Sequence, residues 1–185
     1  MRFKVCKLIY GGRERSVRRL NQKGPKCPTS VTPEMVSGLV DILSQLEAKV
    51  DVAAIASEVG MEAGKLLETL EACEALGLVS IEDGDAVLTQ TGTSFSRKRQ
   101  QGRIRMLREL VKSVEPFKSI LQYISSVTRP VTAEEICRDL GLCDYNDPEG
   151  VSQLKSFILH WLVTTGYLSY DGRDEQFRVR GRHRS

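Results

Sequence analysis

Apolar residues recur along this chain in two runs that match each other position by position. Val36, Leu39, Val40 and Leu43 return at an offset of 81 residues as Phe117, Ile120, Leu121 and Ile124. The correspondence continues with Ile55 and Ile136, Val59 and Leu140, Gly60 and Gly141, and Met61 and Leu142. After an eight-residue insertion, CDYNDPEG, the offset becomes 89, so that Gly77 matches Gly166 and LVSIEDG matches YLSYDG. An apolar position held at fixed spacing is a core position, so the chain is expected to build the same core twice.

The periodicity predicts the same elements in each copy. In the first, residues 33–47 carry Val36, Leu39, Val40, Leu43 and Leu46 at helical spacing, with proline in the first turn. Asp51 is placed to cap a short helix, VAAIASEV, that Gly60 ends. A third helix over 62–76 has Leu66, Leu70, Cys73 and Leu76 as its inner stripe. LVSI, the turn EDGD and AVLT then read as a hairpin. In the second copy Pro116 opens a helix, and Thr132 caps another, with Glu135 completing a capping box. A helix over 150–165 carries Leu154, Ile158, Trp161 and Leu162, and YLSYDGRDEQFRV supplies the hairpin. Between the copies, residues 93–113 read as one long basic helix with Ile104, Leu107, Leu110 and Val111 as its apolar stripe.

Helix, helix, helix, hairpin is the winged-helix order. The expected fold is therefore mainly α with small β-hairpins (α+β): tandem winged-helix domains joined by a basic linking helix. The expected divisions are a basic arm over 1–30, a first unit over 31–92, the linking helix over 93–113, a second unit over 114–177 and a basic tail over 178–185.

With 185 residues, 41% hydrophobic and 28% charged, the chain has the composition of an ordinary globular protein. Nothing approaches the roughly 18 unbroken apolar residues of a membrane span, so no membrane insertion is expected. The start, MRFKVCKLIYGGRERS, lacks the apolar core and cleavage site of a signal peptide, and a cytoplasmic location follows as the default. Met35 is a possible alternative start. The five cysteines, at 6, 27, 73, 137 and 143, are odd in number and scattered, unlike a disulfide framework. Cys73 and Cys137 fall among helical apolar positions and are expected to be buried thiols. A zinc site would draw first on Cys6 and Cys27, if the N-terminal arm folds back, and no cofactor or metal is assigned.

Charge changes the picture, because it is segregated. Residues 1–30 hold nine Lys/Arg against one acid, residues 31–95 two bases against twelve acids, and residues 96–112 seven bases against one acid. Such asymmetry points to an anionic partner, or to basic strips lying on acidic faces of the same chain. The candidate phosphate contacts are Arg13, Arg15, Arg18 and Arg19 in the arm, then Arg97, Lys98, Arg99, Arg103 and Arg105 in the linking helix. Arg178, Arg180, Arg182 and Arg184 complete them in the tail.

Catalysis is not expected. YGGRERS and NQKGPK are the nearest approaches to a phosphate-cradling glycine loop, and neither fits. His160 sits beside Trp161 in a helix and His183 in the arginine-rich tail, so neither stands as a catalytic base. Glu134 and Glu135 share a helix's first turn, where they favour its dipole.

Residues 31–175 resemble the C-terminal AAA-associated domain family. The likeness rests on GLVDILSQLEAKVDVAAIASEVGMEAGKLLETLEACEALGLVSIEDGDAVLTQTGTSF, on RIRMLRELVKSVEPFKSILQYI and on HWLVTTGYLSYDG. It covers about four-fifths of the chain. The family is usually found after the ATP-binding subunit of nitrate-, sulfonate- or bicarbonate-type ABC importers. The resemblance implies a non-catalytic regulatory or interaction domain, with no catalytic residues to carry over; this chain has no ATPase.

Two functions follow as expectations. One is a DNA-binding regulator that contacts phosphates through the basic arm, linking helix and tail. Against it stands the first recognition-helix candidate, EAGKLLETLEACEALG, whose outward Glu68, Glu71 and Glu74 should be repelled by DNA. Gln153, Lys155 and Ser156 are the corresponding offerings of the second unit. The alternative is an accessory protein-interaction module, with an ABC-transporter ATPase or a second copy of the chain as its partner. For it, Leu159 and Val163 beside Trp161 would make an apolar docking patch, unless they belong to the core.

Overall fold

In the computed structural model, residues 28–46, 49–52, 55 and 62–181 are described. Helix α1, Pro33–Gln45, begins where Thr32 turns extended and its hydroxyl accepts the Met35 amide at 3.4 Å. Pro33 occupies the first helical position, where an amide hydrogen would have no partner. Val36, Leu39, Val40 and Leu43 form one buried stripe. Strand β1, Val50–Asp51, precedes helix α2, Ala63–Ala75, which buries Leu66, Leu70 and Cys73. Strands β2, Val79–Glu82, and β3, Asp85–Leu88, are joined by Asp83 and Gly84, both at positive φ, as a tight hairpin turn requires. The three strands are antiparallel in the order β1-β3-β2, with Val50 opposite Ala86.

Two short helices follow, α3 over Gln90–Ser96 and α4 over Gln100–Leu110, the latter running into a 3-10 turn over Val111–Ser113. The second half comprises α5, Phe117–Ser126; α6, Ala133–Leu140; α7, Pro148–Ile158, which widens into a π-helix over Leu159–Val163; and strands β4, Leu168–Asp171, and β5, Gln176–Val179. The capping box on α6 forms, with Glu135 reaching back to the Thr132 amide at 3.0 Å. Seven helices and two small antiparallel sheets among the described residues make the molecule mainly helical, of α+β character.

The repeat in the sequence is reproduced in the geometry. Val131, 81 residues after Val50, bridges to Phe177 of β5 as Val50 bridges to Ala86 of β3. Gly77 and Gly166 both turn left-handed, at φ 68° and 79°, to bring each half from the helix before it into its hairpin. Buried apolar residues of both halves belong to one cluster, in which Phe117 stacks on Phe157 at 4.8 Å and lies 5.1 Å from Trp161.

Several expectations are corrected. Residues 93–113 are not one helix. Phe95, at the end of α3, and Leu107, in the middle of α4, are both buried, yet an unbroken helix would set them about 120° apart around its axis. The chain breaks at Arg97–Arg99 instead, so that each apolar side chain reaches the core. Asp51 ends β1 opposite Asp85, and the chain turns helical directly after it, at Val52; most of the short helix expected there lies outside the described residues. Cys137 is no free thiol but is disulfide-bonded to Cys143, their Cα atoms 5.3 Å apart. Gly141, left-handed at φ 63°, ends α6 and turns the chain back so that the two meet. Cys73 is buried as expected, and burial pushes its thiol up to about 12. Trp161 is fully buried, with Leu159 and Val163 half-buried against the same core. No helix among the described residues is long and apolar enough to cross a membrane.

Candidate functional site

The basic residues between the halves divide by what surrounds them. Arg103, one turn into α4, is held on every side. Its guanidinium forms a bidentate pair with Asp41 of α1, at 2.8 and 2.6 Å, and donates to the carbonyls of Ser96 and Lys98 at 2.8 and 3.0 Å. Those carbonyls lie where α3 ends, so Arg103 supplies the hydrogen bonds that the break leaves unmade. It also lies 5.2 Å from the centre of the buried Phe95 ring. The Asp41 carboxylate raises its already high pKa. Arg103 thereby joins α1, α3 and α4.

Arg97, Lys98, Arg99 and Arg105 are exposed, and none has an ion-pair partner among the described residues. The α3–α4 break gathers the first three: Arg97 follows the last turn of α3, and Arg99 precedes α4 in extended conformation. A groove of about 410 Å³ opens beside them between α1, α4 and the end of α7, with Gly38, Asp41, Lys98, Ile104 and Thr164 among its walls.

In the tail, Arg178 pairs with Asp171 across the hairpin at 3.4 Å, whereas Arg180 is exposed with no acidic partner among the described residues. Arg13, Arg15, Arg18, Arg19, Arg182 and Arg184 lie outside the described residues. The basic residues that can be placed thus form two groups, one at the α3–α4 break and one around β5. Arg108, absent from the sequence-based candidates, belongs to the second. Its spacing from Arg105, one helical turn, is the only local signal that could have marked it.

The third helices of the two halves present different surfaces. On α2 the exposed stripe is Gly64, Leu67, Glu71 and Glu74, with Leu67 52% exposed. Glu68 accepts from the Ser30 hydroxyl at 2.5 Å and pairs with Lys65 at 3.6 Å. The adjoining hairpin carries Asp83, and Glu82 is paired with Lys49 at 2.9 Å. On α7, Lys155 is tied to Glu175 of the β4–β5 turn at 2.6 Å and lies 5.6 Å from the centre of the Tyr170 ring. His160 is exposed on the π-helical turn. No group of three or more His, Cys, Asp or Glu residues among the described residues could hold a metal ion.

The acidic stripe of α2 and the two basic groups thus place charge of opposite sign on different elements. No curated protein and no solved structure matches the chain. Residues 53–171 match the C-terminal AAA-associated domain, a span that begins later than the likeness read from residue 31 and takes in both hairpins except the final strand. That match covers more than half of the sequence, and the chain belongs to the C-terminal AAA-associated domain family.

Proposed function

We propose that the chain is a non-enzymatic interaction module built from tandem winged helices, which docks on an ATPase through its first half. The observation that supports this best is the outer face of α2. Leu67 is exposed on a stripe that continues with Glu71 and Glu74, on the helix that faces the partner in winged-helix units. An apolar residue followed along one helix face by carboxylates suits a basic protein surface with a pocket and repels a phosphate backbone. Membership of an AAA-associated family supplies the class of partner. The test is surface plasmon resonance of the full chain against purified ABC-importer ATPase subunits of its own host. Leu67→Asp and Glu71→Lys should each weaken binding about tenfold or more, as loss of a central interface contact does. Absence of binding to any of these subunits sinks the proposal.

A second reading is a DNA-binding regulator held by phosphate contacts. It is favoured by Arg97, Lys98 and Arg99 at the α3–α4 break and Arg105 on α4, all exposed and without an ion-pair partner among the described residues. Binding of a labelled random duplex would then weaken by orders of magnitude between low and physiological salt. A flat, weak response across the series removes this reading.

A further inference from the structure

The end of the second hairpin holds an arrangement that its counterpart in the first half lacks. In the first half the Thr89 amide donates to the Leu78 carbonyl at 3.1 Å, and Thr89 then caps α3 with its hydroxyl. In the second half the same backbone bond runs from Arg180 to the Tyr167 carbonyl at 3.0 Å. Arg180 thus stands where Thr89 stands, and its side chain projects over Gly166. A Cβ built on Gly166 would lie 3.2 Å from one terminal guanidinium nitrogen of Arg180 and 3.9 Å from one of Arg108. Two guanidinium groups therefore converge on the space that this glycine leaves open. At Gly77, the equivalent left-handed glycine, nothing lies within 4 Å of that point.

The convergence is built from several elements. Arg108 reaches from α4 over the Tyr167 ring, its guanidinium carbon 4.8 Å from the ring centre. The Tyr167 hydroxyl donates to the Arg108 backbone carbonyl at 2.8 Å, which fixes the ring that supports the guanidinium. Lys112, one turn further on, borders the place and is paired with Glu109 at 2.5 Å. Arg108 lies in the last turn of α4, where a cation also suits the helix dipole, but Arg180 follows a strand and has no such reason to be there. Neither guanidinium has a carboxylate partner among the described residues.

We propose that Arg108 and Arg180, converging over Gly166, form a binding site for a phosphate group. Two unpaired guanidinium forks offer two positive charges and paired N–H donors to a tetrahedral dianion, which can accept from both at once. The site is separate from the α2 stripe and does not depend on a protein partner. A free phosphorylated ligand offers the full dianion, and the phosphodiester of a nucleic acid offers the same site two non-bridging oxygens and a single charge.

The test uses the full chain, titrated calorimetrically with inorganic phosphate and with pyrophosphate at an ionic strength held constant by chloride. Arg108→Gln and Arg180→Gln should each weaken phosphate binding about tenfold or more, the loss that goes with a hydrogen bond to a charged group. Arg173→Gln, on the exposed turn at the other end of the hairpin, should leave it unchanged. Because the Arg180 side chain makes no hydrogen bond within the described residues, its loss should not disturb folding, and thermal unfolding checks this. A second arm measures a labelled duplex by anisotropy. If both substitutions weaken duplex and phosphate alike, the source is a nucleic acid; if only phosphate and pyrophosphate respond, it is a free phosphorylated ligand. No binding of either probe beyond the chloride control, or equal binding by the double variant, overturns the proposal.

Discussion

The indole N–H of Trp161 donates to the main-chain carbonyl of Val31 at 2.8 Å, a buried bond across 130 residues of sequence. Val31 is itself buried, directly before the Thr32 cap of α1. The lead-in to the first helix is therefore held by the core of the second half. At the repeat offset, Trp161 takes the place of the buried Ala72 of α2, so the bond has no counterpart in the other copy.

Replacing Trp161 with Phe should cost roughly 1–3 kcal/mol, because the Val31 carbonyl is left buried without a partner. Urea unfolding followed by circular dichroism measures it. A chain beginning at Met35 loses both Val31 and the Thr32 cap, and its urea midpoint should fall well below that of a chain beginning at Pro28. Equal midpoints would show that the Val31 contact contributes nothing.

Arg103 and its neighbours should separate under charge reversal. Arg97→Glu, Arg99→Glu and Arg105→Glu should leave stability within about 0.5 kcal/mol, as exposed sites generally do. Arg103→Glu should be clearly destabilising, because it sets a carboxylate against Asp41 and strips the α3 carbonyls of their donor. A duplex-binding experiment that reverses all four at once would confuse unfolding with loss of contact.

Gly92, in the first turn of α3, lies against β2. A Cβ there would stand 2.0 Å from the Leu78 carbonyl oxygen, which is backbone and cannot swing aside. Gly92→Ala should therefore destabilise by at least about 1–3 kcal/mol, the usual cost of overpacking. Gly38→Ala, at an exposed helical site with nothing within 4 Å, should instead stabilise slightly. Thermal unfolding of the pair gives opposite signs if the close approach is as described.

The α6 cap should respond to acid. The Arg129 guanidinium and the Thr132 amide hold the Glu135 carboxyl below its usual 4.5, the arginine chiefly. The folded state thus binds this proton less readily than the unfolded one. The stabilisation is complete above the ordinary glutamate range and is lost as pH falls through the lowered native value. Glu135→Gln should be less stable than the native chain at pH 7, with the difference shrinking as pH drops below 4.5. A constant gap across that range would exclude the linkage.

The repeat and the caps were legible because they depend on local spacing. Pro33 in the first turn of α1, and Thr132 with Glu135, each need only residues one to three positions apart. The partner of Arg103 was not legible: Asp41 lies 62 residues away, and nothing in the run 97–112 distinguishes the arginine that will be held from those left exposed. The break at Arg97–Arg99 contains neither proline nor glycine, so no residue announces it. Its only sign is that Phe95 and Leu107 are out of phase on one helix. Arg180 could be read as basic but not as a neighbour of Arg108, because that meeting depends on how the second hairpin returns to α4.

Thr89 and Arg180 occupy one place in two copies of the same design, and they put it to different uses. Threonine there lets the polypeptide set off again as a helix, making the first hairpin a way station. Arginine there lays its guanidinium over Gly166, and the second hairpin becomes a rim that carries a cation. The molecule thus contains its own reference: exchanging residues between the two places asks what each half has gained since they diverged, with backbone geometry held constant.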